Sequence, residues 1–112
     1  MKYDMKLNNS PYEKIKNGTK TIELRLNDEK RKKLKVNDII EFTNRETLEK
    51  MLVEVENIYH YPTFDELYKH FDKVSLGYEE NDVANSKDME QYYTKEQQEK
   101  YGVLGIEIKK VK

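Results

Sequence analysis

The stretch Gly18-Thr19-Lys20-Thr21-Ile22-Glu23-Leu24-Arg25-Leu26 decides how the rest of the chain is read. From Lys20 onward it alternates. Ile22, Leu24 and Leu26 fall on one side, and Thr21, Glu23 and Arg25 on the other, which is the period of a half-buried strand with a charged outer face. Glu23 and Arg25 then project from one face, roughly 6–7 Å apart. Gly18 stands where a preceding helix must stop, in a left-handed conformation that costs Gly little. A cation, an acid and a second cation therefore crowd one short strand. The plain alternative for each is structural: a helix-ending glycine, a solvated lysine, and a surface ion pair worth under about 1 kcal/mol.

Working outward, Ser10-Pro11-Tyr12-Glu13 predicts a helix start, with Ser10 as cap, Pro11 at the first helical position and Glu13 closing a capping box. Tyr12 and Ile15 face inward, and Met5-Lys6-Leu7 can form a short strand before the helix. After Leu26, Asn27 or Asp28 can cap a short basic helix running to about Leu34. Val36-Asn37-Asp38 reads as a turn. Two strands follow, Ile39 to Thr43 and Lys50 to about Tyr61. Ile58 breaks the alternation of the second, which places a bulge near Glu56-Asn57.

Thr63-Phe64-Asp65-Glu66 is another capping box, opening a helix whose stripe is Phe64, Leu67, Tyr68 and Phe71. Residues 72–93 have weak periodicity; Gly77 marks a turn, and Met89, Tyr92 and Tyr93 indicate a short helix. Thr94 to Gln97 opens a last helix ending near Tyr101-Gly102. A final strand runs from Val103 to Val111. Strands separated by helices, with a central hairpin, make this an α+β chain. Residues 1–112 form one domain, whose roughly five strands can curl into a barrel, since closure removes exposed edges.

Composition narrows the function classes. Of 112 residues, 38% are charged and 36% apolar, so a small core sits under a densely charged surface. There is no Cys, which excludes thiol chemistry, disulfides and Cys-based zinc sites. Only His60 and His70 are available to a histidine metal site, and both read as ordinary surface or edge residues. No apolar run approaches the roughly 20 residues that span a bilayer, so no membrane association and a cytoplasmic location are expected. Net charge is −1, but residues 10–36 carry nine Lys or Arg against four acids, while residues 37–108 carry seven against seventeen. A duplex-coating protein would be basic throughout. A local basic rim beside one site fits better, and Lys30-Arg31-Lys32-Lys33-Leu34-Lys35 reads either as a solvated face or as a funnel for a polyanion.

The G-x-K-x-x-E-x-R string of Gly18, Lys20, Glu23 and Arg25 resembles the hallmark of the ASCH (activating signal cointegrator homology) domain family. The likeness extends through the helix start before Gly18, Val36-Asn37-Asp38-Ile39-Ile40-Glu41-Phe42, Pro62 to Leu67, and Tyr101-Gly102-Val103-Leu104-Gly105-Ile106. The resemblance implies a barrel related to the PUA domains of RNA-modifying proteins, with a cleft beside the motif that binds RNA or a nucleoside-like ligand. Some small members hydrolyse the acetyl amide of N4-acetylcytidine, and others have been described as ribonucleases. The acetylcytidine hydrolases resemble this chain at Lys20 but carry threonine at the position of Glu23. Thr21, the nearest hydroxyl, is displaced by two positions. Their distant acid would fall near Glu79, Glu80 or Asp82.

The expected ligand is therefore RNA or a small nucleotide-like molecule, held by Gly18, Lys20, Glu23 and Arg25, with no cofactor and no metal. A guanidinium offers a planar fork to phosphate or to a base edge. Glu23 can orient that fork or accept from a base amine. If the protein is instead a hydrolase of acylated nucleosides, Lys20 and Glu23 are the candidate catalytic groups. A third reading is a protein-interaction domain using the acidic second half. Of nine tyrosines, Tyr12 and Tyr68 fit core stripes. One or two of Tyr59, Tyr61, Tyr92, Tyr93 and Tyr101 are candidates to line the cleft.

Overall fold

The computed structural model describes residues 1–111. Five strands, β1 (Lys2–Leu7), β2 (Ile22–Leu26), β3 (Ile39–Asn44), β4 (Lys50–Tyr61) and β5 (Val103–Lys110), form one sheet. Three α-helices, α1 (Asn9–Lys16), α2 (Phe64–Tyr68) and α3 (Lys95–Tyr101), and a 3-10 helix at Ser86–Gln91 complete it. The strand order is β1-β3-β4-β5-β2. β1 runs parallel to β3, and the other neighbours are antiparallel. The result is an α+β curled half-barrel. Among the described residues no ladder joins β1 to β2, so the curl stops one seam short of closure.

Local chemistry explains most boundaries. α1 ends as a Schellman motif: Thr19 N–H donates to the Lys14 carbonyl at 3.0 Å and Gly18 N–H to the Ile15 carbonyl at 3.1 Å. Gly18 has φ +87° there. α3 opens on the predicted capping box, with both Thr94–Gln97 bonds made. The hydroxyl of Thr63 caps α2 through Glu66 N–H, whereas the Glu66 side chain pairs with Lys69. β4 shifts register between Val55 and Asn57, at the predicted bulge.

Several expectations are corrected. α1 begins one residue earlier than Ser10, with Asn8 at the cap position and no side-chain cap bond, so Pro11 occupies the third helical position. The basic run after Asp28 forms turns rather than a helix. Asp28 does act as a cap, accepting from Arg31 N–H and pairing with its guanidinium at 2.7 Å, but Val36-Asn37-Asp38 takes the chain into β3 before a helix can develop.

The core divides between the two faces of the sheet. The larger cluster joins Met5, Tyr12, Phe42, Val53, Leu104 and Ile106. The smaller packs Ile22 and Leu24 against Phe64, Leu67, Leu76 and Val103. In the β2–β5 register, Glu23 lies opposite Ile106 and Arg25 opposite Leu104. Directly paired residues share a face. Glu23 and Arg25 therefore lie on the side of the larger core. The alternation of β2 holds, but its charged face is not outward: Glu23 is only 4% exposed.

Candidate functional site

A cavity of about 690 Å³ lies over the seam between β1 and β2. Its floor is a polar string. Lys20 Nζ donates to the Leu76 carbonyl at 3.0 Å and lies 3.4 Å from Glu23 Oε1. Arg25 Nε donates to Glu23 Oε2 at 2.7 Å, and Arg25 Nη2 to the Lys6 carbonyl at 3.0 Å. The string crosses from the loop before the 3-10 helix to the far edge strand. One side chain, that of Arg25, bridges the unpaired strands.

Burial sets the electrostatics. Lys20 and Glu23 are 6% and 4% exposed. Desolvation pushes the Lys20 ammonium below the ordinary lysine range, and the Glu23 carboxylate offsets this only in part. Desolvation acts on Glu23 in the raising direction, but Arg25 and then Lys20 outweigh it and hold the carboxyl below its usual value. Desolvation also opposes the Arg25 charge; Glu23 outweighs it, with Tyr93 adding to the effect, so Arg25 stays charged. With Lys20 protonated, the trio carries one net positive charge. Three of the five Arg25 N–H groups have no protein acceptor among these bonds, so the floor presents donors.

One wall is aromatic. Tyr68, Tyr78, Tyr92 and Tyr93 line it with Asp88. The Tyr78 hydroxyl lies 2.7 Å from Asp88 Oδ2, 3.2 Å from the Asn85 carbonyl and 3.0 Å from the Tyr68 hydroxyl. Its one proton goes to the Asp88 side, so Tyr68 donates to Tyr78 and keeps its own lone pairs free. This wall therefore presents acceptors opposite the donor-rich floor. Tyr68, expected in the core, is half-buried and belongs to this wall. Tyr92 and Tyr93 are the two ambiguous tyrosines that line the cleft; Tyr59 and Tyr61 pack against Phe71 instead.

Leu7, Asn8, Ser10, Arg31 and Arg45 also line the cavity. Of the predicted site residues, Lys20, Glu23 and Arg25 meet on the floor, and Gly18 does not line it. Its surroundings are open space, and its place is the turn that delivers Lys20. Glu79, Glu80 and Asp82 do not line the cleft. Glu79 pairs with Lys14 at 3.4 Å, Asp82 accepts from Glu79 N–H at 2.7 Å, and Glu80 is exposed. The acid in the cleft is Asp88, which lies in the stretch of weak periodicity. Thr21 is exposed and does not line the floor either. Among the described residues, no group of three His, Cys, Asp or Glu could hold a metal ion, and no helix is long and apolar enough to cross a membrane.

The fold has counterparts among solved structures. The chain is 35% identical to the hypothetical protein PH0355, whose crystal structure it matches at a TM-score of 0.84, covering 99% of this chain and 100% of that one. It is 32% identical to protein PF0455 from Pyrococcus furiosus, known from solution NMR, with a TM-score of 0.71 and coverage of 100% and 99%. The ASCH domain of Lactobacillus crispatus JV V101 shares 12% identity and a TM-score of 0.63 over 97% of this chain and 79% of that one, which is a likeness of fold alone. No curated protein matches the chain. The model of the ASCH domain matches residues 5–112, nearly the whole sequence. With a match of that extent, the chain belongs to the ASCH domain family.

Proposed function

We propose that this ASCH domain binds single-stranded RNA or a nucleotide, inserting a base between the donor floor of Lys20, Glu23 and Arg25 and the tyrosine wall. The observation that carries this reading is the polarity of the cleft. Donors on the floor face acceptors and π-surfaces on the wall, and a nucleobase has acceptors and donors on its edge and two π-faces. Base–aromatic stacking contributes about 1–3 kcal/mol per base. Only part of a polyanion would be gripped, in keeping with a net charge of −1.

Tyr92 provides the test, because it lines the cleft and is 56% exposed. Titration of a labelled single-stranded RNA of about eight nucleotides should give saturable binding. Tyr92→Ala should weaken it at least about fivefold, the lower end of the stacking range, with an unchanged melting temperature. Equal affinity in the variant would remove the base from this wall.

One observation favours a second reading, a hydrolase of acylated nucleosides. The buried Lys20 amine is driven toward its neutral form, in which it can serve as base or nucleophile. Glu23 stands beside it where the acetylcytidine hydrolases carry a hydroxyl. Lys20-dependent release of cytidine from N4-acetylcytidine would establish this reading, and no turnover over hours would leave the binding module.

A further inference from the structure

We infer that the end of the cleft formed by Arg25, Arg31 and Arg45 is a phosphate subsite, so that the ligand is a phosphorylated nucleoside or an RNA backbone rather than a free nucleoside. This rests on the base-binding reading above and deepens it.

Three chain segments deliver these guanidinium groups to one cavity. Arg25 reaches the Lys6 carbonyl at 3.0 Å, and the Arg45 backbone donates to the neighbouring Leu7 carbonyl at 2.9 Å. Both residues are thereby fixed to the end of β1, beside the cleft-lining residues Asn8 and Ser10. Arg31 lines the same cavity from the turn after β2.

Their charge is incompletely used. Among the described residues, Arg45 takes part in no ion pair. Arg31 is tied to Asp28 through Nη1, while its Nε is buried without a hydrogen-bond partner. Arg25 keeps N–H groups beyond the two that Glu23 and Lys6 hold, with Tyr93 beside them. A buried donor left unpaired is costly, and planar forks match phosphate oxygens two at a time. The start of α1 adds to this end of the cavity, since Asn8 makes no side-chain cap bond there. Asp88, the acid of the cleft, stands on the tyrosine wall with Tyr78. The cleft thus combines three guanidinium groups with tyrosines and one acid, groups suited to the phosphate and the base of a nucleotide.

Mononucleotide and RNA present the same phosphoryl oxygens, so the test includes both. Binding of cytidine, cytidine 5′-monophosphate, a short oligocytidylate and inorganic pyrophosphate would be followed by calorimetry and by amide chemical shifts of Leu7, Arg31 and Arg45. Arg45→Ala is the informative variant, because its side chain is exposed and outside the core. The monophosphate or the oligomer should bind at least about tenfold more tightly than cytidine, and Arg45→Ala should remove most of that gain. A gain for the monophosphate assigns a nucleotide ligand; a gain for the oligomer alone assigns an RNA backbone. Equal affinity for all three, or a gain that survives Arg45→Ala, overturns the subsite. If cytidine fails to bind but pyrophosphate moves the Arg31 and Arg45 amides, base recognition falls and the subsite stands. If no phosphate-bearing probe moves them, the subsite falls whatever cytidine does.

Discussion

Arg25 and Lys6 hold the two edges of the sheet together: the guanidinium of one donates to the backbone carbonyl of the other at 3.0 Å, where no strand pairing exists. The same guanidinium faces the cleft and is anchored by Glu23. Fold and site thus share a side chain, and their energetics are linked.

Glu23 is the counter-charge for two buried cations. Glu23→Gln leaves Lys20 and Arg25 side by side without it. Removing one member of a buried ion pair costs about 3–5 kcal/mol, so urea unfolding should show a loss of that order. Arg25→Ala, which strands Glu23 and opens the seam, should also destabilise the protein. An unchanged urea midpoint for Glu23→Gln would mean that water already reaches the trio.

The acid limb of the stability profile should carry the signature of Glu23. Its carboxyl, raised by desolvation but lowered further by Arg25 and Lys20, is held below its usual 4.5. The unfolded chain therefore takes up this proton at a higher pH than the fold. The stabilisation is complete above about pH 4.5 and is lost as pH falls toward the lower folded value. Unfolding free energies measured downward from about pH 6 should fall more steeply for the parent than for Glu23→Gln. Parallel profiles would contradict the assignment.

Gly77 supports Lys20 from the loop. It has φ +108°, and a Cβ there would meet Lys20 Cδ at 3.2 Å. Gly77→Ala should cost about 1–3 kcal/mol in backbone strain and displace the Lys20 side chain. Thermal unfolding and the Lys20 side-chain resonances would register the two effects separately. An unperturbed Lys20 resonance would show that the chain yields elsewhere.

The Tyr78 hydroxyl should resist ionisation. Burial raises its pKa most, and the bond it donates to Asp88 raises it further. Absorbance titration of the parent against Tyr78→Phe should reveal no tyrosinate from this residue at the pH where ordinary tyrosines ionise. Asp88→Asn should bring that ionisation to lower pH. A difference spectrum appearing near pH 10, the ordinary tyrosine value, would mean that the wall is looser than its hydrogen bonds imply.

Much of this was legible in the sequence where local chemistry controls the outcome. Gly18, Thr94-Gln97 and the broken alternation at Ile58 each specify a backbone event within a few residues. The alternation of β2 also predicted that Glu23 and Arg25 share a face. It did not say which face, because both sides of this strand are covered and period two carries no inside or outside. Asp88 escaped notice because the 3-10 helix buries none of its own residues and so leaves no apolar stripe. Arg45 sits beyond β3 and reaches the cleft only through the parallel pairing of β1 with β3, a long-range fact that no local pattern encodes. The run after Asp28 shows the opposite error: helix-forming residues were present, but too few preceded the turn to repay nucleation.

The unclosed seam limits how this protein can be redesigned or can diverge. Changing residue 25 to alter ligand preference would also unfasten the curl, so tolerated variation there should be narrow. Asp88, Tyr92 and Arg45 are themselves exposed and belong to neither core cluster. New preferences are therefore most accessible through those three positions, with the fastening left in place.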